Sequence, residues 1–311
     1  MASVNMASVK TAPAKTAPAK AELVKTASVK PAPMKTEPHL SIQVACAAAD
    51  AHSFIAYQYA TYPFRLSNNL RLDARDRHRA YAYVMTAAPG LLSGDDLRWV
   101  VDVGDRAAFY LTDQSATKVH SQPTDGAIAQ MTYAFNVGAG AYFEYMPEPI
   151  ILFSAANLTQ HMNITLHPQG TLVLGEIIVP GRLARGEFYD FEQFLSRLVV
   201  RSPAGKVCFA ETLRLMGNTN GFKHSALFSD LPILGNFVAI VPGVDLGQLA
   251  RQLEKPACDR LQVCSSPLPG CHGLLIRAMS TQASLLKAYQ RHLLGCIRQL
   301  TGHSPLPSIP K

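Results

Sequence analysis

The chain has 311 residues, 48% of them hydrophobic and 16% charged, enough apolar matter for a sizeable core, which excludes a wholly disordered protein. It contains no uninterrupted apolar run of about eighteen residues, so no membrane-spanning helix is expected, and its N-terminus lacks the apolar stretch of a secretory signal. The net charge of +7 is uneven: residues 1–39 carry six lysines and two glutamates, and the remainder carries only +3. A body this mildly basic, without an Arg/Lys stripe, does not call for nucleic acid.

Residues 1–39 are repetitive. Met1-Ala2-Ser3-Val4 recurs at Met6 to Val9, and lysine falls at 10, 15, 20, 25, 30 and 35. A period of five fits neither helix nor strand, and Pro13, Pro18, Pro31 and Pro33 interrupt any helix. The segment reads as a disordered, cationic Ala/Pro/Lys-rich tail, with residues 40–311 as one β-rich domain.

From His39 to about Leu215 nearly every segment reads as strand. Leu97, Trp99, Val101 and Val103 alternate with more polar neighbours, as do Ala127, Ala129, Met131, Tyr133 and Phe135. Ala80–Met85, Ala107–Leu111, Ala141–Tyr145, Thr171–Val179, Phe194–Arg201 and Val207–Leu215 complete the series, with glycine and proline turns between them. No helical pattern lies between these strands, which argues against a doubly wound α/β fold. Beyond residue 242 the period changes. Leu246, Leu249, Ala250 and Leu253 follow helical spacing behind Asp245 as N-cap, and Pro256 ends that helix. Gly273–Met279 reads as one more strand. Ser280–Leu300 is the longest helical pattern, and Gly302 terminates it.

Two loop-bearing blocks carry the sequence's individuality. The first runs from Ala88 to His120. It holds the Pro89-Gly90 turn, Gly94-Asp95-Asp96-Leu97 and Thr112-Asp113-Gln114-Ser115-Ala116-Thr117-Lys118-Val119. By itself a Gly-Asp step is read as a turn. The second runs from Gly175-Glu176 through Pro180-Gly181-Arg182 to Arg185-Gly186-Glu187. By itself it is read as a strand and a turn fixed by ion pairs. Tyr59 to Leu66 and Glu144-Tyr145-Met146-Pro147-Glu148-Pro149-Ile150-Ile151 lie around and between them.

In this order and spacing these motifs resemble the urease accessory proteins of the UreD (UreH) family, over about residues 52 to 302. Leu91 and His120 stand where that family often has glycine and an aromatic, and Leu306 to Pro310 replaces its usual Pro-Arg-x-Trp ending. The resemblance implies a mainly β fold, a right-handed β-helix-like stack of strands with two C-terminal α-helices. It implies a cytoplasmic, non-catalytic scaffold required for nickel insertion into urease, in complex with the urease apoprotein, UreF and the GTPase UreG. No tightly bound cofactor is implied, only transient Ni²⁺, and no membrane partner.

Buried carboxylates need a partner or a cation, which singles out Asp95, Glu144, Glu176 and Glu187. Asp95, Glu176 and Glu187 are the candidate nickel path, with Arg182 and Arg185 as structural or gating partners. Cys258, Cys264, Cys271 and His272 lack the spacing of a structural zinc site, His161 and His167 read as surface histidines, and the six cysteines as reduced cytosolic thiols. There is no Walker loop, since Val207 follows Gly205-Lys206, and no H-E-x-x-H, G-x-S-x-G or helix-opening GxGxxG. The alternatives are a hydrolase using Asp95 and Asp96, whose side chains on a strand would point to opposite faces, and a non-catalytic binding module with a basic tail. The C-terminal helices are candidates for partner contact.

Overall fold

Two kinds of apolar pattern sort the strands before any pairing is known. Alternating strands suit a sheet with one wet face, and continuously apolar strands suit a sheet covered on both. The computed structural model of the chain describes residues 37–48, 51–68, 70, 72, 78–121, 128–217 and 224–308. Residues 1–36 of the repeat tail, Ala127 of the expected strand, and residues 309–311 lie outside the described residues.

The strands are β1 (Leu40–Cys46), β2 (Ser53–Ala60), β3 (Phe64–Leu66), β4 (Arg79–Thr86), β5 (Asp96–Val103), β6 (Ala108–Asp113), β7 (Thr117–Val119), β8 (Ala129–Val137) and β9 (Tyr142–Tyr145). They continue as β10 (Ile150–Leu152), β11 (Asn157–Leu166), β12 (Thr171–Val179), β13 (Gln193–Arg201), β14 (Val207–Met216), β15 (Ile233–Ile240), β16 (Leu261–Pro267) and β17 (Gly273–Ser280). The helices are α1 (Ala226–Asp230), α2 (Leu246–Glu254) and α3 (Ala283–Leu300). The mainly β body followed by α2 and α3 matches the sequence reading. Strands β15 and β16 and the short α1 were not foreseen, and Ser280 ends β17 rather than opening α3.

Seven strands form one sheet in the order β14-β13-β11-β8-β5-β1-β2, and the path β16-β17-β15-β12-β9-β6-β4-β3 forms the other, with β10 and β7 attached beside β12. From β4 to β13 the main strands alternate between the sheets. Neighbours β1, β5, β8, β11 and β13 are parallel in the first sheet. So are β4, β6, β9 and β12 in the second.

The alternating strands belong to the first sheet. In β5 and β8, Leu97, Trp99, Val101, Val103, Met131, Tyr133 and Phe135 are buried between the sheets, and their neighbours face outward. The continuously apolar β6, β9 and β12 belong to the second sheet. Its inner face presents Phe109, Leu111, Phe143 and Leu174 to the first sheet. Its outer face presents Val173, Ile177 and Phe237 to α2 and α3, which bury Leu249, Leu253, Leu286, Tyr289, Leu293 and Ile297. The body thus has three layers: sheet, sheet, helices.

Asp245 caps α2 by accepting from the Gln248 amide at 3.0 Å, and the helix ends two residues before Pro256. No helix among the described residues is long and apolar enough to cross a membrane.

Between the second sheet and α3 lies a buried charge cluster. Arg298 of α3 is fully buried. It donates through Nε to Glu144 Oε1 at 2.9 Å, through Nη2 to Oε2 at 2.6 Å, and through Nη1 to the Tyr81 hydroxyl at 3.2 Å. Arg79 of β4 lies 3.3 Å from Glu144 Oε2 and 4.4 Å over the Tyr142 ring. Burial alone would raise the Glu144 pKa, but Arg79 and Arg298 overcome it and hold the carboxyl below its ordinary value. Glu144→Gln would leave two buried guanidinium ions without a counter-charge, a change expected to destabilise by about 3–5 kcal/mol. Arg298→Met leaves the Glu144–Arg79 pair in place and is expected to destabilise less. Urea unfolding at neutral pH orders the two variants, and the reverse order would remove this cluster as the anchor of α3.

Candidate functional site

The Pro89-Gly90 turn reaches its place because Gly90 has no side chain: a Cβ there would sit 2.3 Å from the Lys118 carbonyl oxygen. That approach lets the Leu91 amide donate to Lys118 at 2.8 Å and the His120 amide donate to Leu91 at 3.0 Å. The two halves of the first signature block are thereby laced together. Leu91, in place of a second glycine, is buried. The second block arrives beside the first. Arg182 stacks 4.5 Å over the Phe153 ring, and His120 meets the same ring edge-on at 5.1 Å.

The loops of the first block and the inner faces of both sheets line a cavity of about 160 Å³. Its first-sheet wall includes Trp99, Met131, Tyr133, Gln160 and Met162, and its second-sheet wall includes Asp113, Tyr145, Gly175 and Glu176, with Glu148 at one side. Trp99 is buried against Phe64, Tyr133 and Tyr145 at ring distances of 5.1, 5.4 and 6.2 Å. Its indole Nε1 has no hydrogen-bond partner among the described residues. Burial pushes the Tyr133 and Tyr145 hydroxyls well above the usual phenol range, so both are neutral.

Glu176 is the ionisable group at the centre of this arrangement. In β12 it shares the inward parity of Leu172, Leu174 and Ile178, which directs a carboxyl from the second sheet at the first. Gln160 and Ser196 are cross-strand neighbours on β11 and β13. Both donate to Glu176 Oε1, at 2.7 and 3.2 Å. Among the described residues nothing donates to Oε2. Burial pushes the Glu176 pKa up to about 7, against the opposing hydrogen bonds from Ser196 and Gln160. Among the described residues no cation is bonded to it, so near neutral pH it exchanges a proton.

A polar seam continues from Glu176 to the sheet edge. Asn236, its register partner on β15, donates to Glu211 Oε2 at 3.3 Å. Glu211 of β14 in turn pairs with Arg277 of β17 across the gap between the sheets.

Of the carboxylates singled out by the sequence, Glu176 alone lines the cavity. Asp95 closes its own turn, accepting from the Leu92 amide at 2.8 Å through Oδ2. Asp96 is bound by Arg98, so the two aspartates of the hydrolase alternative are engaged separately. Glu187 is bound by the Arg182 side chain and, through Oε2, by the Arg182 amide at 3.1 Å. That hydrogen bonding holds its pKa down at about 2. Arg185 is exposed at the end of a single 3₁₀ turn. Glu144 faces the helices, not the cavity. No group of three or more His, Cys, Asp or Glu residues able to hold a metal ion occurs among the described residues.

Sequence reasoning missed Gln160, Ser196, Trp99 and Glu211. A glutamine at an inward position of an apolar strand was the available signal for the first. The pairing of Gln160 with Ser196 depends on register, which no local pattern carries.

Comparison with known proteins places this geometry in context. The model of the family described as UreD urease accessory protein matches residues 38–311. A urease accessory protein UreD of Trichodesmium erythraeum is 41% identical over 276 residues, covering 88% of this chain and 99% of that relative. One of Anaeromyxobacter is 30% identical over 273 residues, covering 86% and 89%. One of Haloarcula marismortui is 29% identical over 235 residues, covering 75% and 77%.

The raised Glu176 pKa has a consequence for stability. In the unfolded chain the carboxyl titrates near 4.5 and in the folded chain near 7, so the fold binds this proton more tightly. Its contribution to stability is full below pH 4.5 and is lost as pH rises to about 7. Glu176→Gln has no such proton to lose. The variant should therefore gain stability relative to the parent steadily between pH 4.5 and 7, then keep a constant difference. Paired thermal melts across that range check it, and a flat difference would contradict it.

Proposed function

We propose that this chain, which belongs to the UreD family of urease accessory proteins and acts in urease maturation, passes Ni²⁺ toward the urease apoprotein without retaining it. The observation that carries the reading is Glu176: a carboxyl held between two sheets in a cavity, with one oxygen bonded and no cationic partner. Such a group takes up a proton or a divalent ion with small energetic preference and releases it as readily. Nickel is cargo here, and the chain keeps no resident cofactor. Thiolate and imidazole clusters bind Ni²⁺ strongly and would trap it. A lone carboxylate with amide and hydroxyl neighbours binds it weakly enough for transfer.

On this reading Glu176 and the seam through Asn236 and Glu211 line the path. Asp95 and Glu187, first considered for the path, hold turns at its margins, with Arg182 pinning the second of these. The alternation of parallel strands between two sheets supports the right-handed β-helix-like coil that the family resemblance implies, since parallel crossovers are right-handed in nearly all proteins. The chain acts as a non-catalytic cytoplasmic scaffold, with the urease apoprotein, UreF and UreG as its partners. α3 and the tail after it are the surface we assign to partner contact.

The test is nickel content of urease co-expressed with its other accessory proteins, with and without this chain. Nickel occupancy should collapse without the chain and return with it. Glu176→Gln should lower occupancy while the variant chain stays folded. Equal loading with and without the chain would overturn the reading, and full loading with Glu176→Gln would take Glu176 off the path.

A further inference from the structure

β14 is the terminal strand of the first sheet, and β16 is the terminal strand of the second-sheet path. Glu211 of β14 reaches Arg277 of β17, so these two edges adjoin. A second approach between them involves two cysteines. Cys208 is the second residue of β14, and Cys271 stands in the turn that joins β16 to β17. Both are free, half-buried thiols, and both pack against the core between the sheets.

Strand and turn meet backbone to backbone. A Cβ on Gly270 would collide with the Cys208 carbonyl oxygen and would lie 3.4 Å from the Cys208 Cα. Glycine admits that approach because it has no side chain. A disulfide spans about 4.4–6.8 Å between Cα atoms. A turn in contact with the Cys208 backbone brings its next residue, one peptide step of about 3.8 Å on, to that scale. The Cys208 thiol donates to the Lys206 carbonyl at 3.6 Å, a weak bond that a side-chain rotation gives up at little cost. Burial, and Cys208 beside it, push the Cys271 thiol up to about 11, so Cys271 keeps its proton at neutral pH.

We infer that Cys208 and Cys271 are a modification site, a reversible disulfide that staples β14 to the β16–β17 turn, with a low-molecular-weight disulfide of the glutathione class as oxidant. The inference stands apart from the carriage of Ni²⁺ proposed above. The Cys208 thiolate attacks one sulfur of the oxidant, whose sulfur–sulfur bond breaks to give a mixed disulfide and one free thiolate. The Cys271 sulfur then attacks the Cys208 sulfur and expels the second thiolate, and the Cys271 proton goes to solvent. The protein thiols lose two electrons in all, and the oxidant gains them and leaves as two thiols. Cys208 attacks first because the thiolate is the nucleophile and Cys271 holds its proton. The bond adds a covalent link to the edge that the Glu211–Arg277 pair bridges. It restricts the unfolded chain, which raises the stability of the fold. A thiol reductant reverses it.

The test treats the full chain with oxidised glutathione in the absence of denaturant. Remaining thiols are blocked with N-ethylmaleimide, and the unreduced digest is mapped by mass spectrometry. A peptide pair joined through Cys208 and Cys271, lighter by two hydrogens than its separate parts, is expected. Dithiothreitol should separate it, and the oxidised chain should melt roughly 5 °C or more above the reduced one. Cys271→Ser should stop at a glutathione adduct on Cys208, and Cys208→Ser should leave Cys271 without a cross-link. Cys258 and Cys264 are exposed, so their own adducts report that the reagent has acted. Adducts there without a Cys208–Cys271 peptide would overturn the inference. So would a link from either cysteine to another thiol, a link that forms only in urea, or a melting temperature that does not rise on oxidation. If a serine variant does not fold, the map and the melting shift of the parent decide alone.

Discussion

Glu144 has both carboxylate oxygens engaged under α3, with Arg298 on one side and Arg79 on the other. Three charges are sealed between a sheet and a helix, where each alone would be strongly disfavoured. They are tolerated because both guanidiniums lie against the one carboxylate, although Arg79 Nη1 makes no hydrogen bond among the described residues. Arg298 spends its remaining donors on the Tyr81 hydroxyl and the Ser304 carbonyl, and Arg79 lies over an aromatic face. Apolar packing between α3 and the sheet is non-directional and would permit the helix to slide. The bidentate pair does not, because it matches one guanidinium to one carboxylate. It therefore sets the helix register.

Glu176 sits one strand away in the same sheet, on the opposite face. Val173 of β12 pairs in register with Glu144 of β9, so the two carboxyls belong to neighbouring ladders, and their environments drive them apart. Glu144 has two cations and stays ionised. Glu176 has neutral donors only and titrates near 7. One is a fixed structural charge and the other an adjustable one. A sheet covered on both faces makes this division available: the helix side supplies the anchor, and the sheet side supplies the path.

Aromatic side chains form one wall of the cavity, and polar side chains from the first signature loop and from β12 form another. Trp99 packs edge-on against Tyr133 and Tyr145 beside the cavity, and the phenols stay neutral. Against such walls a carboxyl, an amide and a hydroxyl are conspicuous features for any charged visitor. Glycine shapes the same region from outside. Gly90 admits the first signature turn onto the Lys118 backbone. Gly175 keeps Met146 and Phe237 in place, since a Cβ there would fall 2.8 Å from the Met146 sulfur.

Local pattern was enough for most of the strands and for the two long C-terminal helices. Those properties follow from side-chain periodicity along a few residues. It was enough, too, for the family, because the signature turns are contiguous runs. It could not single out Arg298, which reads as one more cation on an amphipathic helix until Glu144, 154 positions earlier, is packed beneath it. Nor could it separate Glu144 from Glu176, or send Asp95 and Glu187 to their turns, since those fates depend on which face meets helix, sheet or water. The same holds for Gln160 beside Ser196. These are facts of register and layer packing, set by long-range burial, and only the tertiary structure decided them.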